Sequence, residues 1–340
     1  MTGFGKAHWW EIMHILLAMT LFAAAAGTAD RPCVLVVVGA PGTPEYGTEF
    51  RRWAGLWKAA AEKASAESIA IGLTSGGAVP DRERLRAVLS EKASSGRETL
   101  WIVLIGHGTY DGREAKFNLR GPDVTDVELS DWLKPLQRPV AVLNCTSASG
   151  PFLNRLSAEG RVVITATRSG DEQNFARFGQ YLAESIADPR ADLDKDGQVS
   201  LLEAFLVAGR RVDEFYRTRS RLATEHSLLD DNGDHLGTPA DWFRGVRATK
   251  RAKDGAELDG LRAHQLSLIL SDRERGMPAE TRRRRDQLEL SVAALRAKKE
   301  TLPEADYYAQ LERLMVDLAR IYRNRKPGPE GPGQASLRGR

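Results

Sequence analysis

Five short runs of aliphatic and β-branched residues constrain this chain more than any other feature: Val34 to Val38, Ile69 to Leu73, Leu100 to Ile105, Val140 to Leu143 and Val162 to Thr167. Each is strand length and nearly unbroken in its apolar character, the pattern of a strand covered on both faces. The stretches between them carry helical spacing. Phe50, Trp53 and Trp57 share one helix face, and Thr125-Asp126-Val127-Glu128 forms a capping box ahead of Leu129 and Leu133. Alternation of strand and helix predicts an open, mostly parallel α/β sheet with helices on both faces. In such sheets ligands and chemistry collect at the carboxyl ends of the strands.

Composition narrows the class. The 340 residues are 42% hydrophobic and 28% charged, which suits a well-cored protein and excludes a disordered chain or a multi-span membrane protein. The formal charge is +3 with no basic stripe over the core, so no nucleic-acid partner is expected. Two cysteines cannot build a disulfide framework. Cys33 opens one strand and Cys145 closes another of the same direction, too far apart to bridge, so Cys145 is expected as a free thiol.

The first 29 residues run from Lys6 through an apolar stretch, Ile12 to Ala26, to small residues before Asp30. They read as a secretory signal, too short to span a bilayer, and place the mature chain in a periplasm or outside the cell. An uncleaved N-terminal anchor is the lesser reading.

Two strand ends carry chemistry. The third run leads into Gly106-His107-Gly108, and the fourth into Asn144-Cys145-Thr146-Ser147-Ala148-Ser149-Gly150. Flanking glycines let a backbone approach a substrate closely, and small residues after Cys145 expose the sulfur and free N–H groups for an anion. A thiol beside an imidazole ionises more readily and attacks a carbonyl. In the expected mechanism Cys145 attacks a peptide carbonyl, and His107 protonates the departing amine and then deprotonates the hydrolytic water. The N–H groups of Gly108 and Cys145 are expected to hold the oxyanion, a contribution of about 3 kcal/mol. Taken singly, a His or Cys at a strand end is usually a packing residue; two at successive ends are not.

At these residues the chain resembles the caspase and hemoglobinase clan of cysteine peptidases, and within it the legumain family. Ala166-Thr167, closing the fifth run, extends the resemblance, which spans roughly residues 32 to 245 through scattered short motifs. It implies a caspase-like α/β fold, endopeptidase activity and a Cys/His dyad on Cys145 and His107. The chain departs from the family at two places. Legumain-like enzymes carry Glu two positions before the nucleophile, where this chain has Leu143; the Asn that assists their histidine is absent, Gly39 to Tyr46 offering only Thr43 and Glu45. The caspase pattern Gln-Ala-Cys-x-Gly is not matched either. Asp171 and Glu172, after the fifth run, are candidate pocket residues for a basic side chain, or simply solvated.

Residues 192–203 reproduce the twelve-residue calcium loop of EF-hands. Asp192, Asp194 and Asp196 offer carboxylates, Gln198 a backbone carbonyl, Ser200 a direct or water-bridged contact and Glu203 a bidentate clamp, with Gly197 at the sharp bend. A structural calcium ion is expected, and no organic cofactor. A second acidic run places Asp230, Asn232 and Asp234 in similar order but has His235 where the loop needs Gly; it reads as a weaker second site or as loop capping.

The expected organisation is a signal peptide (1–29), a peptidase domain with its calcium loop (30–250), a charged helical extension (251–325) and a disordered tail (326–340). In the extension, Tyr307, Leu311, Leu314, Leu318 and Ile321 form an apolar seam, and Leu288, Val292 and Leu295 a shorter one, fit for a helical hairpin, for self-association or for a partner. The function expected is an exported, calcium-stabilised cysteine endopeptidase acting on a peptide or protein substrate. The alternative is a catalytically inactive caspase-like calcium-binding interaction module.

Overall fold

The computed structural model describes residues 31–74, 77–94, 96–250 and 259–323; the expected signal segment and the expected disordered tail lie outside them. In chain order the strands are β1 (Cys33–Val38), β2 (Glu67–Ile71), β3 (Leu100–Ile105), β4 (Gly108–Tyr110), β5 (Ala115–Phe117), β6 (Val124–Thr125), β7 (Val140–Asn144), β8 (Arg161–Thr165), β9 (Leu228–Asp230) and β10 (Thr238–Pro239). The helices of the α/β part are α1 (Pro44–Lys63), α2 (Asp81–Ala93), α3 (Asp126–Leu133), α4 (Gly150–Leu156), α5 (Phe178–Ser185) and α6 (Leu201–Thr218).

Seven strands form one sheet in the order β10-β9-β8-β7-β3-β1-β2. β2, β1, β3, β7 and β8 run parallel, and β9 turns back antiparallel against β8. Side chains alternate between two cores. Val36, Val38, Val103, Ile105, Leu143 and Ile164 point to one face, covered by α1, α5 and α6. Leu35, Val37, Ile102, Leu104, Val142 and Val163 point to the other, covered by α2, α3 and α4. Burial on both faces of β1, β3, β7 and β8 explains why these strands read as nearly unbroken apolar runs: each fully buried Val or Leu contributes about 1.5–3 kcal/mol, and polar residues stand only at strand ends, at Asn144, Arg161 and Thr165.

Local signals set the helix starts. Thr43 caps α1, with Pro44 at its first position, and reciprocal capping boxes join Thr125 to Glu128 and Ser200 to Glu203 at the starts of α3 and α6. β2 keeps the length of its apolar run but starts and ends two residues before Ile69 to Leu73. β2 closes at Ile71 because Gly72 turns left-handed (φ 81°). α5 begins at Phe178, where the buried Glu225 carboxylate accepts the N–H groups of Arg177 and Phe178 at 2.7 and 2.9 Å.

Beyond the sheet come α7 (Leu261–Gln265), α8 (Asp272–Arg275), α9 (Ala279–Ala297) and α10 (Glu304–Arg323). The expected domain boundary at 250 is not where the core ends. Ala263 and Leu268 belong to the main core, and Leu201 N donates to Leu266 O at 2.7 Å. α9 and α10 pack together through Leu288, Val292 and Leu318, flanked by Leu311, Leu314 and Ile321.

Candidate functional site

β3 and β7 are neighbours in parallel register, Leu104 opposite Asn144, so the segments that follow them emerge side by side. His107 and Cys145 both face the core under α1 and α5. The His107 ring packs edge-on against Tyr46, Phe50 and Phe175, with centroids 4.9, 5.3 and 6.2 Å away. Cys145 lies in the same core, beneath Gly179 of α5.

The histidine is oriented by backbone. Its Nε2 pairs with the Pro41 carbonyl at 3.2 Å, and the main chain at 107 is held by Asn118 N at 3.0 Å. With Nε2–H donating to that carbonyl, the lone pair sits on Nδ1. An orienting side chain after the first strand is not encoded in the sequence. A main-chain oxygen at Pro41 fills that place, and no residue type announces it.

The thiol is sequestered. Cys145 is 1% exposed, its Sγ donates to Leu143 O at 3.7 Å, and burial pushes its pKa up to about 12. A Cβ on Gly179 would stand 2.6 Å from Cys145 Cβ, so glycine there is what lets α5 close over the sulfur. No hydrogen bond joins His107 to Cys145. The two expected oxyanion donors are both engaged: Cys145 N donates to Leu104 O at 3.0 Å as a continuation of the sheet ladder, and Gly108 N donates to Ser147 Oγ at 3.2 Å. The expectation that both N–H groups stand free is therefore corrected, because strand pairing consumes one and the serine of the following turn consumes the other.

Small residues build that turn. Asn144 Oδ1 accepts from Thr146 N and Thr146 Oγ1 at 3.2 and 2.7 Å, while its buried Nδ2 has no partner among the described residues. Ser147 Oγ also donates to Gly108 O at 3.1 Å. Gly108 must be glycine, since a Cβ would meet Ser147 O at 2.3 Å. Ala148 is left-handed (φ 51°) and its N–H donates to Glu172 O at 2.8 Å. Ser149 Oγ and Thr167 Oγ1 pair at 3.0 Å, tying the start of α4 to the segment after β8.

The candidate pocket carboxylates separate. Glu172 is not open to a ligand: it accepts from His226 Nδ1 and N at 2.5 and 3.1 Å and from Arg168 N at 3.0 Å. Asp171 instead lines a polar cleft of about 540 Å³ with Tyr110, Asp126, Arg113, Arg155 and Arg168. Three guanidiniums against two carboxylates make this a poor pocket for a basic side chain, which corrects that expectation. Neither His107 nor Cys145 lines it.

Of the ligands expected in the 192–203 loop, three carboxylates are gathered, while Glu203 is engaged with the loop's own N–H groups and the Ser200 hydroxyl. Ligand oxygens of Asp192, Asp194 and Asp196 lie within 4.8 Å of one another, and Gly197 takes a left-handed φ of 93°. Lys195 N and Gly197 N donate to the two oxygens of Asp192 at 2.7 and 3.2 Å. Buried Glu203 reaches back across the loop, its carboxylate accepting from Leu193 N and Ser200 N at 2.6 and 2.8 Å. Asp196 is raised above the usual carboxylate range, by burial first and by the charges of Asp194, Glu203 and Asp192. This concentration of hard oxygens fits a calcium ion. His264 Nε2 sits 2.9 Å from Asp194 Oδ2, a neighbour the twelve-residue motif does not encode.

No protein-family model matches the chain, and no curated protein matches it. Among solved structures it is similar to the Drosophila initiator caspase Dronc, at 15% identity and a TM-score of 0.41 over 61% of this chain and 82% of that one. It is also similar to caspase-1 from Spodoptera frugiperda, at 10% identity and a TM-score of 0.37 over 59% of this chain and 86% of that one.

Proposed function

We propose that the protein is an exported cysteine endopeptidase of caspase-like type, with Cys145 as nucleophile and His107 as general acid and base, resting in a closed conformation. The observation that carries this reading is the pairing of neighbouring strand ends on one face of the sheet, with His107 oriented by the Pro41 carbonyl so that the lone pair is left on Nδ1. Catalysis then requires Cys145 to rotate out of the core and Ser147 to release Gly108 N, after which that N–H is available to an oxyanion. A calcium ion held by Asp192, Asp194, Asp196, the Gln198 carbonyl and Glu203 stiffens the segment between α5 and α6. Glu203 lies in the first turn of α6, and the loop follows α5, the helix that covers the thiol, so calcium would anchor the far end of the element that must shift. The asparagine preference of the legumain family is not carried over, because Leu143 stands where that family has Glu.

The second reading is a catalytically inactive calcium-binding interaction module. The depth of Cys145 and the engagement of both N–H groups favour it. Partner binding through the C-terminal helices belongs with it: Tyr308, Met315 and Tyr322 are exposed at seven-residue spacing along α10.

One experiment separates them. A positional peptide library is incubated with the full chain, with and without calcium, alongside Cys145→Ala and His107→Ala, and a thiol-directed peptidyl probe is added in parallel. The peptidase reading requires cleavage that Cys145→Ala abolishes. Labelling no faster than that of free cysteine, and unchanged by His107→Ala, transfers the assignment to the interaction module.

A further inference from the structure

The loop after β9, residues 230–236, carries acidic groups that the peptidase chemistry does not use. Its backbone repeats the first seven positions of the calcium loop at 192–198. In the first loop the fourth and sixth residues, Lys195 and Gly197, are left-handed (φ 64° and 93°); in the second the fourth and sixth, Gly233 and His235, are left-handed as well (φ 84° and 66°). The hydrogen bonds coincide in the same order. Lys195 N donates to Asp192 Oδ1, and Gly233 N to Asp230 Oδ1. Asp196 N donates to Asp194 Oδ1, and Asp234 N to Asn232 Oδ1. Gln198 N donates to Asp196 Oδ1, and Leu236 N to Asp234 Oδ1.

His235 at the sixth position does not prevent the bend, because its surroundings hold it there. His235 N donates to Ser157 Oγ at 3.1 Å, its Nδ1 pairs with Asn154 O at 2.8 Å, and Asn154 Nδ2 donates to His235 O at 2.8 Å. This clasp has a consequence for the first position. In the first loop the sixth N–H, on Gly197, donates to Asp192 Oδ2. In the second the equivalent N–H goes to Ser157, and Asp230 Oδ2 is left with no hydrogen-bond partner among the described residues although the residue is 0% exposed. Burial raises Asp230 above the usual carboxylate range, and the Ser157 side chain and the Gly233 N–H oppose that rise without reversing it. A buried carboxylate oxygen without a donor is unfavourable until a proton, a water or a cation satisfies it, and the loop geometry around this one favours the cation.

We propose that Asp230, Asn232, Asp234 and the Leu236 carbonyl form a second site for a hard divalent cation, calcium. Three carboxylate or amide side chains and one carbonyl supply oxygen ligands of the kind calcium takes in a flexible loop. The twelfth position, Asp241, is paired to Lys250 at 2.5 Å and does not clamp the ion, so this site is weaker than the first. Its occupancy bears on the candidate active site, since the loop grips Asn154 of α4 and Ser157 at that helix's C-cap, and α4 begins at Gly150, where the turn after Cys145 ends. The assignment is independent of peptidase activity.

The test counts calcium bound to the full chain by calorimetry and equilibrium dialysis, up to about 10 mM, beyond the weak end of calcium-loop affinities. Wild type binds two equivalents. Asp192→Asn/Asp194→Asn removes the tighter event and leaves the weaker one, which exposed Asp234→Asn then weakens about tenfold or more through the loss of one charged ligand. Asp234→Asn alone leaves the tighter event in place and, with its circular dichroism unchanged, excludes misfolding as the cause. Retention of two equivalents in Asp234→Asn with unaltered affinity overturns the assignment, as does a wild-type chain whose single equivalent vanishes in Asp192→Asn/Asp194→Asn.

Discussion

Replacing Cys145 by alanine distinguishes a sequestered thiol from an activated one through the pH dependence of stability. Burial raises this thiol from 9.0 to about 12, so the folded protein keeps its proton over a range in which the unfolded chain gives it up. Below about pH 9 both states are protonated and the contribution of the side chain is complete; as pH climbs from 9 towards 12 it is lost at about 1.4 kcal/mol per unit. At about pH 10.5, one and a half units above the unfolded value, the loss amounts to about 2 kcal/mol. Urea unfolding of wild type and Cys145→Ala at about pH 8 and about pH 10.5 measures it, because lysines, tyrosines and Cys33 are common to both proteins and cancel in the difference. The wild-type advantage is expected to shrink by about 2 kcal/mol between the two conditions. An imidazole holding a thiolate would lower the thiol pKa and reverse the sign, so that wild type gains on the variant as pH rises. A difference that is constant, or that widens with pH, refutes the closed arrangement.

Gly179→Ala pushes a methyl to 2.6 Å from Cys145 Cβ and 3.2 Å from the Trp53 ring, and is expected to cost about 1–3 kcal/mol in urea unfolding and to speed alkylation of Cys145; a neutral outcome in both would show that α5 does not close over the sulfur. Thr125→Ala removes one half of the capping box at the start of α3 and is expected to lower stability by about 1 kcal/mol, read from the urea midpoint. Calcium at one hundred times its dissociation constant is expected to stabilise the chain by about 2.7 kcal/mol in thermal unfolding; most of that shift is lost in Asp192→Asn, and an equal shift in both proteins would remove the ion from the first loop.

The sheet was legible because four of its parallel strands, β1, β3, β7 and β8, are covered on both faces, which favours a nearly unbroken apolar run at each; the edge strand β2 is half exposed. What the runs could not reveal was the antiparallel edge. β9 and β10 span three and two residues, and each is specified by what it pairs with rather than by its own pattern. The same holds for the β4–β6 ribbon, whose strands are three residues or fewer. At the site, residue identity located His107 and Cys145 but not their partners. The Pro41 carbonyl, the Leu104 carbonyl on Cys145 N and the Glu172 carbonyl on Ala148 N are backbone groups that every residue carries. Tyr46 had a readable signal, since it extends the Phe50, Trp53 and Trp57 face by one helical turn. Phe175 had none, because it lies outside the helix that follows. The clustering of Asp192, Asp194 and Asp196 was readable because the motif is defined by side chains at fixed spacing. His264, reaching Asp194 from 70 residues away, shows where that rule stops.

Opening the site demands less rearrangement than the burial of Cys145 suggests. Of the contacts that hold the turn after β7, the Ser149 and Thr167 network and the Ala148 bond to Glu172 O lie beyond the thiol and can persist. The ladder bond from Cys145 N to Leu104 O belongs to the backbone and is unaffected by a side-chain rotation. Only the two hydrogen bonds between Ser147 and Gly108 oppose the release of Gly108 N, each worth about 1 kcal/mol net. Withdrawing one small side chain from the core adds about 1–2 kcal/mol. The total is about 3–4 kcal/mol, so on the proposed peptidase reading peptide binding is the step that drives the change, with Gly179 and α5 giving way. Cys145→Ala in complex with a tight peptide ligand should then show Gly108 N protected from hydrogen exchange by the ligand while Ser147→Ala, which needs no release, binds the same ligand about tenfold or more tightly than wild type. Equal affinity of Ser147→Ala and wild type would mean that Gly108 N takes no part in binding.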